Sequence, residues 1–266
     1  LQLHFLVGGD ERVLGRSAGA GQSQEGSPIV LDDLAEVDRH MPAVGGALER
    51  DLGGAAGQPV DRGEIQRLLK SVALFPERTH LVGAYALGKA QRVIALLREA
   101  GGDLIDAPVS GGVEGAKNGR LSVMAGGNAA TLERVRAVLE CFAARITLMG
   151  DVGAGQDTKA VNQVLVAGIA QAVTEGLALG EALGLDPERL LPTLQAGAAN
   201  SWFLEKRGAT ALRGEFSVGF KLALLHKDLK IVQQLAQAAG TDRSIIERSL
   251  ADYATLMAQG HGDDDI

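Results

Sequence analysis

At 266 residues, 46% of them apolar, the chain is long enough for one large domain or two ordinary ones with a sizeable core. A formal charge of −7 at pH 7 argues against nucleic acid as the main partner, so an anionic substrate would need local positive charge or backbone N–H groups. The single cysteine, Cys141, excludes an internal disulfide framework and fits a reducing, cytoplasmic compartment. It sits in a helical pattern and is expected to be a small buried apolar group. Leu1-Gln2-Leu3-His4-Phe5 has neither the basic start nor the small-residue cleavage site of a signal peptide.

Leu3 to Val7 read as a strand, followed by Gly8-Gly9. The continuation expected of a nucleotide-binding unit, a tight glycine turn opening an amphipathic helix, is missing. No G-x-G-x-x-G occurs in the chain. The nearest approach, Gly19-Ala20-Gly21, precedes Gln22-Ser23-Gln24-Glu25, which opens no apolar helix, so it is a weak phosphate-loop signal. Asp32 to Val37 and Arg62 to Leu74 read as short helices.

From His80 the pattern is regular. His80-Leu81-Val82 reads as a strand, and Lys89 to Glu99 as a helix with Val93, Leu96 and Leu97 inward. Leu104 to Ala107 and Leu121 to Met124 are strands. Thr131 to Phe142 is a helix with Leu132, Val135, Val138, Leu139 and Phe142 inward, and Ile146 to Leu148 is a strand. Strands alternating with amphipathic helices indicate an α/β layer.

A glycine turn, Gly153-Ala154-Gly155, then opens about thirty residues without proline, which predicts one long helix. Asp186 caps the next helix with Pro187 at its first position, so the long helix stops before it. The apolar run is long enough for a membrane span, but Gln171, Glu175 and Glu181 interrupt it. A helix buried between two soluble layers explains it better. Gly168, Gly176 and Gly180 would let another backbone approach closely. Lys159, Asn162 and Gln163, three and four residues apart, share one face near its start. Read alone, Lys159 is better explained as a solvated first-turn lysine. After Gly150 no strand is expected. Helices are predicted at Pro187–Ala196, Phe203–Leu212, Leu222–Ala239 and Arg243–Gln259, with a domain boundary between residues 150 and 153.

Asp106-Ala107-Pro108-Val109-Ser110-Gly111-Gly112 follows a strand, where open α/β sheets bind ligands. Gly111-Gly112 would let backbone N–H groups approach a carboxylate and Ser110 would add a hydroxyl donor; the alternative is a plain tight turn.

The stretches DAPVSGGVEGAKNGRLSVMAGG (106–127) and GAGQDTKAVNQ (153–163), with Gly219-Phe220 and Lys227-Asp228-Leu229, together resemble the β-hydroxyacid dehydrogenase family. The resemblance runs from about Lys89 to the end. It implies a Rossmann-like α/β domain over residues 1–150, irregular at its start, that binds NAD or NADP. An all-α domain over residues 151–266, joined by the long interdomain helix, would serve substrate binding and dimerisation. By the same resemblance Lys159 is the catalytic acid/base, and Ser110, Gly111 and Gly112 bind the carboxylate of a small substrate. Asn162 and Gln163 orient the substrate oxygens, Lys227 reaches the cofactor, and no metal ligand is assigned. A normal lysine is almost wholly protonated at pH 7, and desolvation between the domains would favour its neutral form. The implied assembly is a homodimer or homotetramer.

The departures lie in the first 88 residues. Gly83-Ala84-Tyr85-Ala86-Leu87 stands where the family carries a Ser/Thr-Thr-x-x-Pro turn, and Met41-Pro42 is the only trace of its cofactor loop. These departures favour one rival, a non-catalytic relative that has lost its cofactor turn. An imine reductase, which usually lacks the lysine, is a second rival. A 6-phosphogluconate dehydrogenase, with a longer C-terminal half, is a third.

Overall fold

The computed structural model describes residues 103–216 and 219–266, the backbones of Leu3–Gly8 and Thr79–Ala84, and Gln66, Lys70, Leu74, Ile94, Ala95 and Leu97. The readings at Gly19-Ala20-Gly21, Asp32 to Val37 and Met41-Pro42 fall outside these residues. Of the two other early helices, Gln66, Lys70 and Leu74 are helical in one, and Ile94, Ala95 and Leu97 in the other. Ile94 and Leu97 are buried; Val93 and Leu96, expected inward, lie outside the described residues.

The chain divides into two compact units, Leu1–Lys159 and Ala160–Ile266. In the first, five strands form one sheet in the order β2-β1-β3-β4-β5. They are β1 (Leu3–Gly8), β2 (Thr79–Ala84), β3 (Asp103–Ser110), β4 (Leu121–Gly127) and β5 (Ala143–Gly150). The strand directions are mixed: β1 runs antiparallel to β2 and β3, β3 antiparallel to β4, and β4 parallel to β5. Connection length explains the last two. Residues 111–120, containing only the short helix α1 (Gly112–Lys117), are too few for a parallel crossover. Residues 128–142 contain α2 (Ala129–Leu139) and suffice for a βαβ unit.

Asn128 starts α2 by accepting from the Ala130 N–H at 2.8 Å. Leu132, Val135 and Leu139 then face Ile105, Ala107, Leu121, Val123 and Ala125 of the sheet, with Phe142 packed against the cluster. Val138 does not join them: it is 36% exposed, because its place beside Leu139 turns it off the inward stripe. Cys141 is a second correction. It follows the helix end and is exposed, its Sγ 3.3 Å from the Ala137 carbonyl.

The long helix is α3 (Ala154–Ala182). In the second unit it is followed by α4 (Pro187–Gln195), α5 (Trp202–Leu212), α6 (Leu222–Ala238) and α7 (Ser244–Ala258). Asp186 caps α4 through the Glu188 N–H at 3.0 Å, with Pro187 in the first turn, as the sequence predicts. Ala160, Ala167, Ala170 and Leu177 make a narrow buried stripe along α3. Ala167 packs with Leu222, Leu225 and Leu229 of α6 and with Tyr253 of α7, while Ala160 packs with Val232 and Ile246. A Cβ on Gly180 would stand 2.6 Å from Leu190 Cδ2 and one on Gly168 3.3 Å from Ile245 Cγ2, whereas Gly176 has nothing within 4 Å. Close packing therefore explains two of the three helix glycines, through side chains rather than the second backbone that the sequence suggests.

Within the single chain the helix is buried on one side only, not between two layers. Val161, Leu165, Leu179 and Leu183 are 62, 59, 60 and 67% exposed. By length and composition α3 is the one described helix that passes as a candidate membrane span. Its buried stripe belongs to a packed helical core instead.

The last residues close the second unit. Ile266 N–H donates to the Phe220 carbonyl at 3.2 Å and Asp265 N–H to that of Phe216 at 2.9 Å. The Asp265 carboxylate, 4% exposed, pairs with Arg207 and accepts from the Phe220 N–H at 2.6 Å. Gly219, at φ 150°, passes directly beneath that carboxylate, where any Cβ would collide with it.

Tyr253 is 5% exposed and its hydroxyl has no hydrogen-bond partner. Burial, with the nearby Asp252 charge, pushes its pKa up from 10.0 to about 12. The folded chain thus keeps this proton between about pH 10 and 12 while the unfolded chain loses it, so stability falls as pH rises through that window. Tyr253→Phe is expected to raise Tm by a few degrees at pH 7, removing an unpaired buried hydroxyl worth ~1 kcal/mol. It should also flatten the alkaline loss. Calorimetry at pH 7 and pH 11 checks both, and a lower Tm for the variant at pH 7 would contradict the assignment.

Candidate active site

Strand β3 carries the first part of the site. Its residues 104–108 are all buried, and Ser110 emerges at its end, partly exposed. The chain then turns through Gly111 (φ 126°) and Gly112 (φ 63°), conformations that side-chain-bearing residues rarely adopt. A Cβ on Gly111 would also approach Leu121 Cδ2 to 3.2 Å. The turn opens α1, whose Gly115 N–H donates back to the Gly111 carbonyl at 2.9 Å. A hydroxyl and backbone amides are thus presented at one strand end, a suitable set for a carboxylate.

Lys159 lies on α3, 7% exposed, and its Nζ donates to the Val109 carbonyl at 2.9 Å. Lys159 and the Ser110-Gly111-Gly112 turn, 47 residues or more apart in sequence, are therefore held within one residue of each other.

The other predicted residues form a second constellation in the second unit. Gln163 is 3% exposed and donates through Nε2 to Asp228 Oδ2 at 2.8 Å. Its Oε1 accepts from Asn162 Nδ2 at 3.0 Å. Lys227 Nζ stands 3.4 Å from Asp228 Oδ1, with the lysine side chain 30% exposed and the carboxylate 1% exposed. Because Gln163 donates to Asp228, its carbonyl faces Asn162, and this fixes the direction of both amides.

Two carboxylates given no role by the sequence reading hold these groups in place. Asp228 is one. Asp106 is the other: fully buried, it accepts from the N–H groups of Gly153 at 2.7 Å and Gln156 at 2.9 Å. Burial pushes its pKa up, while those two N–H groups pull the other way. The signal that could have found Asp106 is a charged residue inside an otherwise buried apolar run; Asp228, in His226-Lys227-Asp228-Leu229-Lys230, has no such local signal.

Residues 80–150 match the family profile described as the NAD binding domain of 6-phosphogluconate dehydrogenase. Residues 153–266 match the one described as NAD-binding of NADP-dependent 3-hydroxyisobutyrate dehydrogenase. The chain is 43% identical over 150 residues to 2-hydroxy-3-oxopropionate reductase of Escherichia coli, covering 56% of this chain and 51% of the relative. It thus spans about half the length of that relative. A 3-hydroxyisobutyrate dehydrogenase structure from Salmonella typhimurium superposes with a TM-score of 0.61 at 29% identity, covering 68% of this chain and 64% of that one. The Mycobacterium tuberculosis 3-hydroxyisobutyrate dehydrogenase solved with L-serine gives a TM-score of 0.59 at 33% identity, with the same coverage of both chains. Over residues 80–266, with the Ser110-Gly111-Gly112 turn and Lys159 in these matched segments, the chain is similar to the β-hydroxyacid dehydrogenase family.

Proposed function

We propose that this protein is an NAD- or NADP-dependent dehydrogenase of small 3-hydroxy acids or their semialdehydes, with Lys159 as its acid/base. The observation that carries the reading is the Lys159 Nζ held 2.9 Å from the Val109 carbonyl, beside a turn rich in amide donors. The substrate carboxylate sits on Ser110, Gly111 and Gly112, which hold it equally in ground and transition states. In reduction the Lys159 ammonium gives its proton to the oxygen that becomes the hydroxyl. In oxidation the neutral amine accepts it. Asn162 and Gln163, their amide directions fixed by Asp228, orient the substrate oxygens.

The nicotinamide cofactor supplies or takes the hydride at the hydroxyl-bearing carbon. The described residues fit its presence at Lys227, a partly exposed cation beside the buried Asp228, suited to a ribose hydroxyl. In this reading residues 1–150 form the cofactor domain and residues 151–266 the substrate and assembly domain. Titration with NADH and NADPH, followed by fluorescence, is expected to show saturable binding of one of them below about 1 mM. Binding of neither would overturn the reading.

Lys159→Ala is expected to cut turnover by about 10²–10⁴-fold, with cofactor affinity and Tm close to wild type. Steady-state kinetics beside a melting curve check this, and a loss below tenfold would return Lys159 to a structural role.

Assembly belongs to the same reading. The exposed Val161, Leu165 and Leu179 lie along one helix, with Leu183 just beyond its end, and interfaces of permanent dimers are apolar and on the order of 2,000 Å² or more. A homodimer or homotetramer is the expected state, and light scattering during size exclusion measures it. A mass that stays near 27.6 kDa at high protein concentration would sink this expectation.

A further inference from the structure

We infer that Asp106 is a positioning residue for the Lys159 ammonium, clamping the first turn of α3 to the strand that ends in the Ser110-Gly111-Gly112 turn. The inference rests on the acid/base reading of Lys159 given above.

Asp106 is fully buried and cannot touch a substrate. It is a charged residue in the middle of five consecutive buried positions of β3, a placement with a desolvation cost. It accepts from two backbone donors, Gly153 N–H on Oδ1 and Gln156 N–H on Oδ2. The Gln156 N–H belongs to the first turn of α3 and has no acceptor within the helix. Each oxygen thus takes a different donor, which fixes both the position of the helix start and its rotation about its axis.

Two glycines make the approach possible. A Cβ on Gly126 of β4 would run into Asp106 Oδ1, and a Cβ on Gly155 would stand 2.6 Å from Oδ2. Lys159 follows Gln156 by three residues, close to one helical turn, so a clamp at 153–156 sets where its Cα stands. Val109, which receives the Lys159 proton donor, follows Asp106 by three residues on the same strand. Strand and helix are therefore pinned at two points: Asp106 holds the backbone, and Lys159 reaches the strand just before Ser110. A displacement of about 1 Å at the helix start would carry the ammonium out of line with that turn, an error that catalytic geometry does not tolerate.

The test reads the lysine itself. Asp106→Asn keeps the size but turns one acceptor oxygen into an NH₂ that must face a backbone N–H. Asp106→Ser, which removes the buried charge without opposing two donors, is measured in parallel. The full chain is acetylated with trace acetic anhydride across a range of pH, and each lysine is followed by mass spectrometry. In the folded variants the Lys159 rate is expected to rise on the order of tenfold and the midpoint of its pH profile to move. Lys206, Lys221 and Lys230 should label as in wild type. A folded variant whose Lys159 profile is unchanged overturns the inference. So does loss of helical circular dichroism in both variants, or a rise shared by all lysines, since either makes the role that of the fold alone. Failure of the reaction reading has a separate signature, full turnover in Lys159→Ala, and leaves the labelling result intact.

Discussion

A carboxylate without water has to find donors, and Asp106 finds them at the start of α3. The first N–H groups of any helix have no partner inside it and carry the positive end of its dipole. Placing them on Asp106 satisfies donors and acceptor together, with the carboxylate fully buried. The arrangement needs Gly153 at φ 106° to aim its N–H inward and the bare backbones of Gly126 and Gly155 to let the carboxylate in. Strand, turn and helix start in the first unit are therefore one assembly. A change in any of these glycines is felt at the strand end that carries Ser110.

The second unit is organised by the inner stripe of α3, and small side chains set its character. Ala160 and Ala167 let Leu222, Leu225, Leu229 and Val232 come close, and a polar insertion interrupts the contact. That insertion is Gln163 with Asp228, hydrogen-bonded at 2.8 Å and nearly inaccessible to water. An apolar pair would pack there at lower cost. The polar pair instead fixes the relative register of α3 and α6 and the direction of two amides, which suits a binding surface better than a plain core. Lower in the same unit, Asp265 repeats the device with Arg207 and the Phe220 N–H, joining the last residues to the segment that leads into α6.

The outer face of α3 obeys a different rule. Its length and apolar content resemble those of a membrane span, but its residues divide into a narrow buried stripe and an exposed row of valine and leucine. An exposed apolar row beside a helical core is a surface suited to contact with another apolar surface.

Local order was legible in the sequence because it is written in short periods and caps. Leu132, Val135 and Leu139 announce α2, Asp186-Pro187 marks the start of α4, and the proline-free run after Gly155 announces α3, each by interactions within a few residues. The glycine pair after Ser110 and the spacing of Lys159, Asn162 and Gln163 were likewise readable, and their resemblance to a family supplied roles that spacing alone does not. Tertiary structure decided what depends on distant partners. The antiparallel run of β3 and β4 follows from a connection too short to cross over, and Val138 and Cys141 turned outward because their neighbours had taken the core. The partners of Asp106 and Asp228 lie tens of residues away. A buried charge is placed by whichever backbone donors the folded chain brings to it, and no local pattern records that meeting.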